Sequence, residues 1–207
     1  MMKILVSALE PSSNLHLKES LKHIKDVEIK GIFEKSLGEP LLDISEFSVM
    51  GFIDILPKIY KAKIAIKEMA KLSKECDIVL LIDAPAFNIP LAKEIKKQNP
   101  NIQINYYILP KTWAWKQKRA KVVREYCDNL LSIFPFEDKF YENPIYVGNP
   151  LLDMITTYNT SSLKNGNIAL LAGSRKSEIK SLMPLFRELK NSLNKNYTIV
   201  IPPFFSD

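Results

Sequence analysis

Ile78-Val79-Leu80-Leu81-Ile82-Asp83-Ala84-Pro85-Ala86-Phe87-Asn88 is the stretch whose reading sets the fold. A short apolar run bounded by turn residues reads as a parallel strand buried on both faces. An unpaired carboxylate is costly inside such a strand, so Asp83 is placed at its carboxyl end. Pro85 then stops the strand, and Asn88 is set to cap a helix over residues 89–98. In open α/β sheets, ligands bind outside the carboxyl ends of the strands. At this point two roles stay open for Asp83: a turn cap, or a carboxylate that faces a ligand.

Upstream, residues 3–8 and 27–33 are predicted strands. Between them Glu10-Pro11-Ser12-Ser13-Asn14 is a polar turn before a helix over 15–24. A turn of this kind is either an anion or sugar site at a helix start or a plain capped turn. His16 and His23 are expected on the surface or in packing. Residues 34–43 form a loop, and 47–53 a compact apolar segment. A helix over 56–74 follows, with Pro57 in its first turn. On it Ile55, Ile59, Ala62, Ile66 and Met69 share one face, and Lys63, Lys67 and Lys71 another. Val49, Met50, Phe52 and Ile53, with lysines close behind, have the composition of a segment resting on anionic lipid.

Downstream, a strand over 103–109 runs into Trp113-Ala114-Trp115, set among lysines and an arginine. Such aromatics stack single-stranded bases, stack a sugar, or pack a loop. A helix over 116–126, a strand over 129–134, a short helix over 137–141 and an edge strand over 145–147 complete the alternation. Strands alternating with helices describe a doubly wound parallel-sheet α/β domain over 1–150. Residues 151–166 read as a linker. The pattern restarts over 167–207 with strand 168–171, helix 176–193 and strand 197–201, the beginning of a second domain.

With 207 residues, 46% hydrophobic and 25% charged, the composition is that of a globular protein. The net charge of +6 points to an anionic partner without choosing among nucleic acid, phosphorylated ligand and membrane. Cys76 and Cys127 have neither metal spacing nor a disulfide framework, and are expected as buried thiols in a reducing cytoplasm. The start of the chain lacks the length of a signal-peptide core. No segment approaches the roughly 18 apolar residues of a membrane span.

Several short motifs stand in one order: Glu10-Pro11-Ser12, Val49-Met50-Gly51-Phe52, Asp83-Ala84-Pro85-Ala86-Phe87-Asn88, Trp113-Ala114-Trp115, Phe134-Pro135-Phe136-Glu137, Val147-Gly148-Asn149-Pro150-Leu151 and Gly173-Ser174-Arg175-Lys176-Ser177-Glu178-Ile179. Together they resemble the lipid-A-disaccharide synthases, a GT-B glycosyltransferase family. The chain departs from the family pattern in places. The first turn keeps only Glu10 and Ser12 of the usual Gly-Glu-Ala-Ser-Gly-Asp, and the family's second acidic position is Ala86. Ala172 and Asn149 stand where a proline and a histidine are usual.

The resemblance implies a Rossmann-like N-terminal domain of a GT-B enzyme on the acceptor side, followed by part of the nucleotide-binding domain. It implies transfer of a diacylglucosaminyl group from UDP-2,3-diacylglucosamine to lipid X, with release of UDP. Asp83 is implied as catalytic base and Arg175 as phosphate partner. Glu10, Ser12, Asn88, Gly173 and Ser174 are implied as substrate contacts, and Val49, Met50, Phe52 and Ile53 as membrane contacts. No cofactor and no metal are implied. The implied partners are the two substrates and the anionic inner-membrane surface on its cytoplasmic face, with no nucleic acid and homodimerisation left open. Family members run longer, so the chain is expected to be C-terminally incomplete and inactive alone. Two rivals stand beside this reading: a non-catalytic remnant that binds acylated phosphosugar, and a nucleic-acid-binding α/β module.

Overall fold

The computed structural model describes residues 1–43, 55–114, 117–156, 166–173, 176–192 and 196–201. The chain divides into two units, Met1–Thr156 and Thr157–Asp207. The first contains β1 (Met2–Ser7), α1 (Pro11–Leu21), β2 (Val27–Phe33), β3 (Leu42–Asp43), α2 (Ile55–Leu72), β4 (Ile78–Ile82), α3 (Pro85–Gln98), β5 (Gln103–Tyr107), α4 (Lys118–Tyr126), β6 (Asn129–Ser132) and β7 (Ile145–Tyr146). Seven strands form one sheet in the order β3-β2-β1-β4-β5-β6-β7. Every neighbouring pair is parallel. The stretch from Ile78 is therefore the central strand of a doubly wound sheet.

Successive side chains on a strand point to opposite faces, and the core divides accordingly. Leu5, Val79, Leu81, Ile104, Tyr106 and Leu130 pack with Met69 of α2, Leu91 and Ile95 of α3, and Val123 of α4. On the opposite face Ile4, Val6, Ile82 and Tyr107 pack with Leu17 of α1. Gly31 has φ +121, and a Cβ there would stand 2.3 Å from the Val6 carbonyl oxygen. Glycine at this position is what allows β2 its close approach to β1.

Four expectations change. Ile78 and Leu80 are only half-buried, so the central strand is not closed on both faces. Among the described residues α1 is the helix whose side chains join the core on that side, and a cavity of about 560 Å3 opens over Leu80, Tyr107 and Leu131. Second, α1 starts at Pro11 rather than residue 15, because proline at the first helical position matches helical φ without losing a needed donor. Third, the 34–43 loop contains a 3-10 turn, Lys35–Leu37, and the edge strand β3. Fourth, Asn88 is not a helix cap: α3 begins three residues earlier, at Pro85.

Of the apolar face expected on α2, Met69 is fully buried and Ala62 and Ile66 are partly buried. The side chains of Ile55 and Ile59 lie outside the described residues. Cys127 is buried and Cys76 half-buried, and both are free thiols. Burial pushes the Cys127 thiol up to about 12. Residues 150–154 form a 3-10 turn that packs against α1 in the first unit. In the second unit, β8 (Ile168–Leu171) and β9 (Tyr197–Val200) pair in parallel, with α5 (Lys176–Ser192) between them in the chain. Leu171, Leu185, Leu189 and Val200 of this unit stay exposed.

Candidate active site

From β1 the chain winds one way, to β2 and β3, and from β4 the other way, to β5, β6 and β7. The order reverses between β1 and β4, which are neighbours, and such a reversal opens a crevice outside the carboxyl ends of the strands. Glu10 follows β1 and Asp83 follows β4. Because the two strands are parallel, with Ser7 paired to Leu81, Glu10 and Asp83 stand on the same edge and flank this reversal.

Two similar turns build the edge. At the first, Pro11 opens α1 and Asn14 is buried three residues later. The Asn14 amide donates to the Ala8 carbonyl at 2.8 Å and the Glu10 carbonyl at 2.9 Å. Its oxygen accepts the Glu34 backbone N–H at 2.7 Å, tying β1 to the exit of β2. At the second, Pro85 opens α3 and Asn88 is fully buried three residues later. The Asn88 amide donates to the Ile82 carbonyl at 3.2 Å and the Asp83 carbonyl at 2.9 Å. Its oxygen accepts the Ser7 hydroxyl at 2.6 Å. A strand followed by Pro-x-x-Asn is the sequence signal for both anchors, and reading Asn88 as a cap missed it.

Asp83 and Ala84 both adopt left-handed backbone conformations, with φ 49 and 43. Such conformations cost on the order of 1–3 kcal/mol each and persist where surroundings hold them. Here the Asp83 N–H donates to the Tyr107 carbonyl at 2.9 Å. The Asp83 carbonyl accepts the Tyr106 hydroxyl at 2.6 Å as well as the Asn88 amide. With both its main-chain groups engaged, Asp83 keeps a half-buried side chain at the strand end. Burial first, and then the Asp83 charge, hold the Tyr106 hydroxyl well above its ordinary range, while Arg119 acts in the opposite direction. Arg119 and Lys118, at the start of α4, line a small cavity with Pro85 and Ala86 of α3. These cations beside the carboxylate turn were not singled out by the motifs.

Glu10 and Ser12 are exposed at the start of α1. The Glu10 side chain makes no capping bond to the helix, which leaves its carboxylate to face outward. Asn88 belongs to the framework: its three partners are the chain's own groups. His16 is buried beneath this edge, with Nδ1 3.0 Å from the Tyr107 hydroxyl, and burial lowers its pKa.

In the second unit Gly173 follows β8 with φ +88, and a Cβ there would stand 2.7 Å from a carboxylate oxygen of Glu178, in the first turn of α5. Only glycine fits this turn. Ser174 and Arg175, together with Val49, Met50, Phe52, Ile53 and Trp115, lie outside the described residues. Among the described residues no three His, Cys, Asp or Glu side chains gather as a metal cluster. None of the described helices is long and apolar enough to cross a membrane.

Comparison with known proteins extends these motifs to the whole chain. The sequence model of the lipid-A-disaccharide synthetase family matches residues 4–205. A Campylobacter jejuni (strain RM1221) protein named lipid-A-disaccharide synthase is 46% identical over 226 aligned residues, covering 99% of this chain and 62% of its own length. A Helicobacter pylori (strain Shi470) protein of the same name is 47% identical over 209 residues, covering 98% of this chain and 57% of its own. The chain thus spans about three-fifths of the length of these curated relatives.

Proposed function

This chain belongs to the lipid-A-disaccharide synthetase family, and from that premise we propose that its first unit is the acceptor side of a glycosyltransferase. The reaction is transfer of a 2,3-diacylglucosaminyl group from its UDP donor to the 6-hydroxyl of lipid X. The observation that carries this reading is the placement of Asp83 and Glu10 on either side of the sheet's reversal point.

In this proposal the Asp83 carboxylate takes the proton of the attacking hydroxyl. The hydroxyl oxygen bonds to the anomeric carbon of the donor as the bond from that carbon to the phosphate oxygen breaks. UDP leaves with the electron pair. Glu10 and Ser12 line the acceptor side. Arg175, with Gly173 and Ser174, receives the charge developing on the phosphate. Glu178 in the first turn of α5 competes for the positive helix start, so the phosphate depends on the Arg175 guanidinium. UDP departs as a stabilised anion, and no second carboxylic acid is assigned.

The substrates are acylated, which calls for a membrane surface, and the side proposed here is the cytoplasmic face of the inner membrane. Val49, Met50, Phe52 and Ile53 are proposed to rest on anionic lipid. Lys63, Lys67 and Lys71, further along the sequence and exposed on α2, supply cations. The test is UDP release by a chimera that joins residues 1–207 to the remaining portion of the Campylobacter jejuni relative. Asp83→Asn keeps the size of the side chain but removes its basic oxygen, and is expected to lower turnover about 10²–10⁴-fold. Turnover within twofold of the parent would exclude Asp83 as the base. A chimera that binds lipid X but releases no UDP would reduce the reading to acylated-phosphosugar binding.

A further inference from the structure

The loops that leave β5 and β6 carry an aromatic construction that the proposed chemistry does not use. Phe134 packs into the core beside Ile133 and Tyr107. Phe136 stacks on it, with ring centres 5.4 Å apart and planes at 19°. Trp113 meets Phe136 nearly at right angles, at 5.7 Å and 82°. The inner ring of this ladder is partly buried, yet Trp113 and Phe136 remain 41% and 40% exposed. Leaving this much aromatic surface in water forgoes stabilisation that burial would supply.

The loops beneath the ladder are braced. Ser132 hydrogen-bonds to the carboxyl group of Glu137, and the Tyr141 hydroxyl to the Pro110 carbonyl, all in buried positions. Burial raises the pKa of Glu137, a cost accepted inside the loop that presents Phe136. Neither brace covers the exposed rings. Both loops leave the same edge of the sheet as Asp83. Neighbouring strands lie about 4.8 Å apart, so the loops start roughly 5 and 10 Å along that edge from the Asp83 strand. Glu10 stands on the opposite side of Asp83, after β1.

We propose that Trp113 and Phe136 form an aromatic corner that holds the pyranose ring of the glucosaminyl acceptor against Asp83. This rests on the functional reading above and adds the positioning residues it lacks. A pyranose ring has an apolar C–H face and hydroxyls around its rim. An aromatic wall takes the face and leaves the rim hydroxyls directed along the edge toward the carboxylate. Stacking of successive nucleic-acid bases asks for open faces along a strand, and an edge-to-face pair closes into a corner instead.

The experiment is a ligand-observed NMR titration of the purified chain with glucosamine 1-phosphate, which has no acyl chains, and in parallel with lipid X in detergent. Trp113→Ala and Phe136→Ala are each expected to weaken both ligands about tenfold, and Trp113→Phe to recover part of the loss. Circular dichroism melts of the same variants check that the sheet is intact. Unchanged affinity for glucosamine 1-phosphate in a folded Trp113→Ala variant overturns the corner and leaves the assignment of Asp83 standing. Weakening confined to lipid X overturns it too, since the contact would then be with acyl chains. A parent chain that binds neither ligand overturns the acceptor-side reading and the corner together.

Discussion

The Ser7 hydroxyl donates to the Asn88 side-chain oxygen across 2.6 Å, joining residues 81 apart in the chain. The bond ties the end of β1 to the first turn of α3, and so the Glu10 side of the crevice to the Asp83 side. Both partners are fully buried, where an unmet polar group costs more than a hydrogen bond returns.

Asn88→Ala leaves the Ile82 and Asp83 carbonyls and the Ser7 hydroxyl without this partner. The expected loss is about 1–3 kcal/mol for a buried group so orphaned, read as a lower urea midpoint at unchanged slope. Ser7→Ala leaves the buried Asn88 side-chain oxygen without its donor and should likewise cost about 1–3 kcal/mol. Equal midpoints for Asn88→Ala and the parent would show that the turn at Asp83 is held by other groups.

The buried His16 makes stability depend on pH. Burial lowers its folded pKa below the ordinary value of 6.5. Between those two values the unfolded chain binds the proton more readily than the folded one, so stability rises with pH across that window. The contribution is present in full above about 6.5 and is lost as pH falls toward the folded value. NMR titration of the His16 ring should place its midpoint below 6.5; a midpoint above it would reverse the sign. A His16→Gln variant should lose less stability than the parent between about pH 7 and pH 5.5.

The two units should differ in local stability. Leu171, Leu185, Leu189 and Val200 stay exposed in the second unit, whereas Val79, Leu81 and Ile82 of β4 are fully buried. Amide hydrogen exchange should therefore be fast in β8 and β9 and slow in β4 and β5. Comparable protection in both sheets would mean that the second unit has a core of its own.

Membrane contact is open to a direct measurement. A Met50→Asp, Phe52→Asp double variant should sediment less with phosphatidylglycerol vesicles than the parent, at equal melting temperature. Added salt should weaken parent binding further, because exposed lysines contribute through screened attraction. Unchanged sedimentation of the folded variant removes this segment from the interface.

Sequence alone determined the class of fold, the central position of the Ile78 stretch and the strand-end position of Asp83. Each of these follows from local chemistry. An apolar run with no polar break is drawn into the sheet's core, a proline ends a strand, and a carboxylate is excluded from the interior. The ordered motifs determined the family in the same way, since they are written along the chain. Only the tertiary structure decided that Asn14 and Asn88 are buried anchors, that His16 meets Tyr107, and that Trp113 and Phe136 meet nearly at right angles. These are contacts through space between distant positions, and no periodicity records them. The half-open face of β4 belongs with them, because whether Leu80 is covered depends on which helices cross the sheet. The Asn88 bond with Ser7 required β1 and β4 to be neighbours, and that adjacency is the reversal of strand order on which the crevice depends.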